Sequence, residues 1–221
     1  SEEVLILSGD HIYHMDFDAM IAFHRQQKAD VTVGMMVVPK SQIHQFGAGI
    51  VNQENRIIEW EEKPRVARTN LASMGIYVFT TRYLLETLAR DRNELDFGMH
   101  ILPRAIGQDQ VFAYPFYGYW RDVGTIQAYW EANMDLLRPG SGIAPQEWGI
   151  RTNIAADGRP MDRPPARFLS GCAVRSSMIS AGCVIEGTVI NSVLSPGVWV
   201  QEGAGVRDAV IFEDSIIGRN A

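Results

Sequence analysis

Four short stretches put acids, a lysine and small residues where chemistry is usually done. The apolar run Val4-Leu5-Ile6-Leu7-Ser8 ends in Gly9-Asp10-His11. It is expected to be a strand of a buried parallel sheet that carries Asp10 to its carboxyl edge, where open α/β sheets bind ligands and metals. Glu61-Glu62-Lys63-Pro64 closes a strand-like run, Ala72-Ser73-Met74-Gly75-Ile76-Tyr77 lies on another, and Tyr119-Trp120-Arg121-Asp122-Val123-Gly124-Thr125 leads into a helix. Carboxylates gathered at such an edge suit a hard divalent cation. Each stretch also has a plainer reading. Asp10 reads as a turn acid or helix cap, Asp122 as the partner of Arg121 in a weak surface pair, and Glu61-Glu62-Lys63 as a solvated charge run.

The elements that must position these residues follow an α/β pattern. Phe17, Met20, Ile21 and Phe23 recur at helical spacing, so 16–28 is expected to be an amphipathic helix. Val31–Val38 is a β-branched run stopped by Pro39, and Ile50-Val51 and Ile57–Trp60 flank the turn residues Asn52–Asn55 as a hairpin. Ser73–Phe79 and Val111–Tyr114 read as strands, Tyr83–Arg90 as a helix, and Met99–Ile106 as a short helix after Asp96-Phe97-Gly98. Thr125–Leu137 is expected to be a helix with Thr125 as its N-cap. Pro and Gly punctuate 139–168, which is expected to be a linker.

From 169 to 221 single aliphatic residues alternate with Ser, Gly, Asn and Asp. Val184 to Ile190 and Val200 to Val206 are each six apart, with a slip of register between the pairs. Such spacing predicts a left-handed parallel β-helix, with a β-meander as the alternative. The opening strand follows no phosphate loop, and no capping element follows Asn220-Ala221, so the chain is expected to be part of a longer protein.

Composition removes several classes. With 221 residues, 46% of them hydrophobic, the chain can bury a large core. A net charge of -6 argues against a nucleic-acid or anionic-membrane surface. No apolar run is long enough to span a bilayer and the N-terminus has no basic signal segment, so a cytoplasmic location is expected. Cys172 and Cys183 form no metal-type motif and are expected to be reduced and buried. His11, His14, His24, His44 and His100 lack the His-x-x-x-His spacing and are expected to be noncatalytic.

Taken in order, Gly9-Asp10-His11-Ile12-Tyr13, Glu62-Lys63-Pro64, Ser73-Met74-Gly75-Ile76-Tyr77, Asp96-Phe97-Gly98 and Tyr119–Thr125 resemble the sugar-nucleotide pyrophosphorylases. Their wording is similar to that of the glucose-1-phosphate adenylyltransferases. The resemblance runs over nearly the whole chain and implies three parts. A partial Rossmann-like, glycosyltransferase-A-like nucleotidyltransferase domain would occupy 1–138, a linker 139–168, and the start of a left-handed β-helix 169–221. The family's Gly-rich triphosphate loop has no counterpart in this sequence.

The implied reaction joins ATP and glucose 1-phosphate into ADP-glucose and pyrophosphate, with Mg²⁺ as cofactor and no covalent nucleophile. The resemblance assigns the metal to Asp10 and Asp122 and the sugar phosphate to Lys63. It assigns glucose hydroxyls to Glu62 and Ser73, and to Gly47 a close backbone approach to the substrate. Tyr77, Asp96, Phe97 and Trp120 would line the sugar pocket, although Tyr77 and Phe97 read equally as core and Asp96 as a helix cap. Where the family commonly has Phe-Gly-Val, this chain has Phe46-Gly47-Ala48. The implied partners are small molecules, with no nucleic acid or membrane, in a homotetramer whose effectors are unspecified. Alternatives are a noncatalytic regulatory subunit of the same fold, a pyrophosphorylase using UTP or dTTP, and a β-helix acyltransferase. The acyltransferase is disfavoured because the hexad segment contains no His.

Overall fold

A computed structural model describes residues 2–90, 96–150 and 162–221. The chain divides into two compact units, Ser1–Gly9 with Tyr13–Trp120, and Asp10–Ile12 with Arg121–Ala221. Through the first stretch the elements run β1 (Glu3–Ile6), β2 (His11–Tyr13), α1 (Phe17–Gln27), β3 (Val31–Val37), β4 (Gly47–Val51), β5 (Ile57–Glu62) and β6 (Leu71–Thr80). They continue with α2 (Thr81–Arg90), a π-helical turn at Phe97–Ile101, α3 (Leu102–Ala105), β7 (Val111–Pro115), β8 (Trp120–Asp122) and α4 (Ile126–Asp135).

Local sequence accounts for several boundaries. The Asp16 side chain accepts from the Ala19 amide and starts α1, and Lys28, in the left-handed region at φ 50, ends it. The Thr125 side chain accepts from the Ala128 amide and starts α4 as expected.

The sheet of the first unit runs β5-β4-β6-β3-β7, with β1 also beside β6. It is mixed and mainly antiparallel, not the parallel sheet that the opening run suggests: β1, β3 and β4 all run antiparallel to β6, and only β3 with β7 is parallel. The physical reason is that both faces are covered. Met20 of α1 packs with Met74, Ile76 and Val78 on one side, while Leu84, Leu102 and Ala105 pack with Val31, Val33, Met35 and Phe79 on the other. Strands buried on two faces become continuous apolar runs whichever way their neighbours point.

One polar group sits inside this core. His24 is 2% exposed. Its Nε2 lies 3.2 Å from the Thr80 hydroxyl and its Nδ1 2.8 Å from the Thr32 hydroxyl. Because the Thr80 hydroxyl donates to the Ala29 carbonyl, it accepts from Nε2–H, and Nδ1 then accepts from Thr32. Burial lowers the His24 pKa, against the raising influence of Glu3 and Asp30, while Arg25 lowers it further. The folded pKa is therefore below the unfolded value of about 6.5. Stability is whole above that pH and falls as protons bind preferentially to the unfolded chain below it. Denaturant unfolding of the wild type is expected to lose more free energy between about pH 7 and 5 than that of His24→Gln. Parallel curves would remove His24 as the cause.

In the second unit, β9 (Arg167–Phe168), β10 (Ala173–Arg175), β11 (Met178–Ile179), β12 (Val184–Ile185) and β13 (Thr188–Ile190) begin a solenoid. It continues through β14 (Val193–Leu194), β15 (Trp199–Val200), β16 (Gly205–Arg207), β17 (Val210–Ile211) and β18 (Ile216–Ile217). Three parallel sheets form its sides, β10-β13-β16, β11-β14-β17 and β18-β15-β12-β9. This is the parallel β-solenoid expected, and the β-meander is excluded. Inside are Ile185, Val189, Leu194, Val200 and Val206, so Ile185 and Val189, rather than Val184 and Ile190, fill the core.

Stacked partners are 17 residues apart from Arg167 to Val184, 15 from Val184 to Trp199 and 17 from Trp199 to Ile216. The slip of register in the sequence is this change of coil length. One corner is turned by Ser176, Asn191 and Asp208 at φ 45, 46 and 50, with the Asn191 side chain donating to Asp208 across coils at 2.6 Å. Small polar residues tolerate that conformation best.

Of the expected linker, 151–161 lies outside the described residues; 139–150 is a series of turns, and the first solenoid strand starts at Arg167. Arg163 reaches over the corners at Gly182 and Gly197 and bonds Asp214 (2.6 Å) and Glu213 (2.7 Å). Cys183 is buried and Cys172 only half-buried, both as free thiols. No helix among the described residues is long and apolar enough to cross a membrane.

Candidate active site

The second unit joins Asp10 and Asp122. β2 and β8 form a two-stranded sheet, and the Val123 amide donates to the Asp10 carbonyl at 2.9 Å. This pairing brings residues 112 positions apart in sequence side by side. A Cβ placed on Gly124 would lie 3.0 Å from Asp122 Oδ1 and 3.2 Å from Asp10 Oδ2, so both carboxylates close on the same bare backbone. The Gly124 amide donates to Asp122 Oδ1 at 2.7 Å. His11 Nε2 lies 3.6 Å from Asp10 Oδ1 and 3.8 Å from Asp122 Oδ2. The His11 side chain is 8% exposed, whereas Asp10 and Asp122 are 57% and 39% exposed. Two open carboxylates thus stand before a sunken imidazole.

Of the plain readings, Asp10 as a helix cap fails, whereas Asp10 as a turn acid agrees with the bend at Gly9-Asp10. Asp16, not Asp10, caps α1. Arg121 turns to Glu131 and Asp135, each at 2.7 Å. His11, which sequence spacing gave no reason to place at the site, lies against both acids; its place directly after Asp10 was the available signal.

The first unit gathers the other candidates around Glu62. The Glu62 carboxylate nests against two glycines: a Cβ on Gly98 would fall 2.3 Å from Oε2, and one on Gly47 2.8 Å from the same atom. Gly47 also underlies Trp60, whose Cζ2 would be 2.3 Å from that Cβ. Close approach of chain to chain therefore explains this glycine. Trp60 Nε1 donates to the Gly98 carbonyl at 3.0 Å and holds the π-helical turn against β5. Asp96 caps that turn by accepting from the Met99 amide at 2.7 Å, as its plain reading foresaw, and is still close enough to act on Glu62. Burial first, then the Asp96 charge, raises the Glu62 pKa; Lys63 and Trp60 oppose them.

Tyr77 stacks on Phe97 with centroids 5.3 Å apart, and both pack against the core. Ser73 is 7% exposed and its Oγ accepts from the Gly75 amide at 3.2 Å. Burial raises the Tyr77 pKa, and a hydrogen bond with the Ser73 side chain works against that rise. Trp120 meets Phe46 edge-on at 5.1 Å. Lys63 is exposed, sits at φ 45, and makes no ion pair within 4 Å among the described residues. A non-glycine residue held there costs about 1–2 kcal/mol.

Gly98→Ala must push the Glu62 carboxylate aside. Because only the end of a flexible side chain must move, it is expected to lower unfolding free energy by no more than about 1 kcal/mol, while Gly9→Ala, which meets nothing within 4 Å, changes it less. Equal denaturant midpoints for the two variants would contradict this packing.

Residues 1–138 match the family model described as nucleotidyl transferase. The chain belongs to the nucleotidyl transferase family. Its solenoid, over 164–221, matches the model described as GlmU-like, C-terminal hexapeptide. Among curated proteins, the chain is 43% identical over 225 residues to the glucose-1-phosphate adenylyltransferase of Acetivibrio thermocellus, covering 98% of this chain and 51% of the relative. It is 42% identical to that of Desulforamulus reducens, covering 98% and 55%, and 43% identical to that of Bacillus cereus, covering 99% and 58%. The chain spans about half the length of the curated relatives it matches.

Proposed function

We propose that the complete protein transfers the adenylyl group of ATP to glucose 1-phosphate, giving ADP-glucose and pyrophosphate. The observation that carries the reading is the convergence of Asp10 and Asp122 on Gly124, in a chain whose relatives bear that name. A phosphate oxygen of the sugar phosphate attacks the α-phosphorus of ATP. The new P–O bond forms as the bond to the β-phosphate bridge breaks, and pyrophosphate leaves with the electron pair.

Two neighbouring carboxylates fit a hard cation such as Mg²⁺. No group of three or more His, Cys, Asp or Glu among the described residues is placed to cage an ion. That suits a metal that takes most of its ligands from phosphates and water. When bound, Mg²⁺ would neutralise charge on the phosphates that meet at the α-phosphorus. Asp10 and Asp122 would hold it, and His11 limits how far their carboxylates can turn. Lys63, which makes no ion pair among the described residues, supplies an ammonium for the sugar phosphate. Glu62, held by Gly47 and Gly98, accepts from sugar hydroxyls beside Ser73 and Tyr77.

The test is pyrophosphate release by the full-length protein with glucose 1-phosphate, Mg²⁺ and either ATP or UTP. Turnover with ATP is expected to exceed that with UTP. A preference for UTP would replace the adenylyl assignment, and no release with either would remove the activity.

A further inference from the structure

We infer that Arg121 is a positioning residue for the metal-binding acid beside it and that α4, fixed to the solenoid, is the element it leans on. This rests on the metal role proposed for Asp122. Arg121 and Asp122 are adjacent on β8, a strand of three residues. Arg121 Nη1 donates to Glu131 Oε2 and Nη2 to Asp135 Oδ2, both at 2.7 Å. One guanidinium therefore spans two positions a helical turn apart on α4 and fixes the strand against the helix. Asp135 is only 4% exposed and is also approached by Arg138 at 3.1 Å, so this end of the clamp is buried and hydrogen-bonded. Adjacent strand side chains point to opposite faces, and a clamp on Arg121 therefore aims Asp122 toward Asp10 and His11.

The helix is itself held. Trp130 Nε1 donates to the carbonyl of Asp208 at 2.8 Å, at a solenoid corner, and Tyr129 lies 6.2 Å from Phe212. Trp130 and Tyr129 thus seat α4 on the solenoid while Glu131 and Asp135, on the same helix, grip Arg121. The coils thereby brace the aspartate, which gives them a part in the chemistry although they contribute no group to it.

Partners behind a metal ligand commonly set affinity by about 10- to 100-fold. Arg121→Lys keeps the charge but loses the planar fork that reaches both acids. In full-length protein, Mn²⁺ binding followed by electron paramagnetic resonance is expected to weaken about tenfold or more in this variant. The Mg²⁺ needed for half-maximal turnover should rise by a similar factor, with the KM for glucose 1-phosphate within about twofold of wild type and cooperative unfolding retained. Unchanged Mn²⁺ affinity in folded Arg121→Lys overturns the inference. Should that variant not fold, Glu131→Gln, whose carboxylate is 42% exposed, carries the test. It is expected to weaken Mn²⁺ binding at least about threefold, and unchanged binding overturns the inference equally. Asp122→Asn separates the two levels. If it binds Mn²⁺ like the wild type, the metal reading itself fails. If it loses Mn²⁺ while the clamp variants do not, only the role of Arg121 fails.

Discussion

Asp122→Asn is expected to lower kcat about 10³-fold in the full-length protein while leaving the fold intact. The amide keeps an oxygen for the Gly124 N–H, which now bonds Asp122 Oδ1 at 2.7 Å, so the turn into α4 survives. What disappears is one of two negative charges that face a common point. On the proposed metal role, a single carboxylate would hold the cation more weakly and leave the phosphates to repel each other during attack. Asp10→Asn should fall by a similar factor. The double variant should be little worse than either single one, because groups that serve one ion do not act additively. The check is initial-rate pyrophosphate release with Mg²⁺ varied at saturating substrates. A loss of less than about tenfold would remove Asp122 from the metal role.

Lys63→Ala is expected to raise the KM for glucose 1-phosphate about 30- to 100-fold, with a smaller change in kcat. A charge-assisted bond to phosphate is worth about 1.5–3 kcal/mol. No ion pair among the described residues holds the ammonium elsewhere. The backbone supplies a second contrast. Lys63 sits at φ 45 ahead of Pro64, with its N–H donated to the Phe46 carbonyl at 3.1 Å. Lys63→Gly removes the same charge but relieves that conformation. It should therefore unfold at a higher denaturant concentration than Lys63→Ala and bind sugar phosphate no better. Steady-state kinetics and urea unfolding of the two variants provide the comparison, and a KM within threefold of wild type for both would remove Lys63 from the phosphate.

Much of this architecture is legible in the residues themselves. Asp16 before an apolar repeat, Thr125 before α4, and Asn52–Asn55 between two β-branched runs each carry their cause locally, and the elements form where that cause places them. Strand direction was not legible, because Val31–Met35 and most of Leu71–Thr80 are buried or half-buried on both faces and lose the alternation that reports orientation. The coil lengths were hidden for another reason. Ser176, Asn191 and Asp208 take corners that a glycine would have announced.

At the candidate site the acids were found through the motifs around them. Spacing rules do not place His11 beside the acids, since they detect histidines repeated along one helix and this one meets its partners across β2 and β8. The glycines beneath Glu62 were equally silent. Gly98 contacts a carboxylate 36 positions earlier, and nothing in its neighbours reveals that.

The clasp made by Arg163 fixes an order of events during synthesis. Its acceptors at Glu213 and Asp214 leave the ribosome some 50 residues after the arginine does. Until they emerge, the start of the solenoid cannot be fastened at this corner, and coils at Gly182 and Gly197 must stack first to bring the acids within reach. A nascent chain stalled before position 213 therefore lacks this fastening of its first coil, whatever order the strands themselves take.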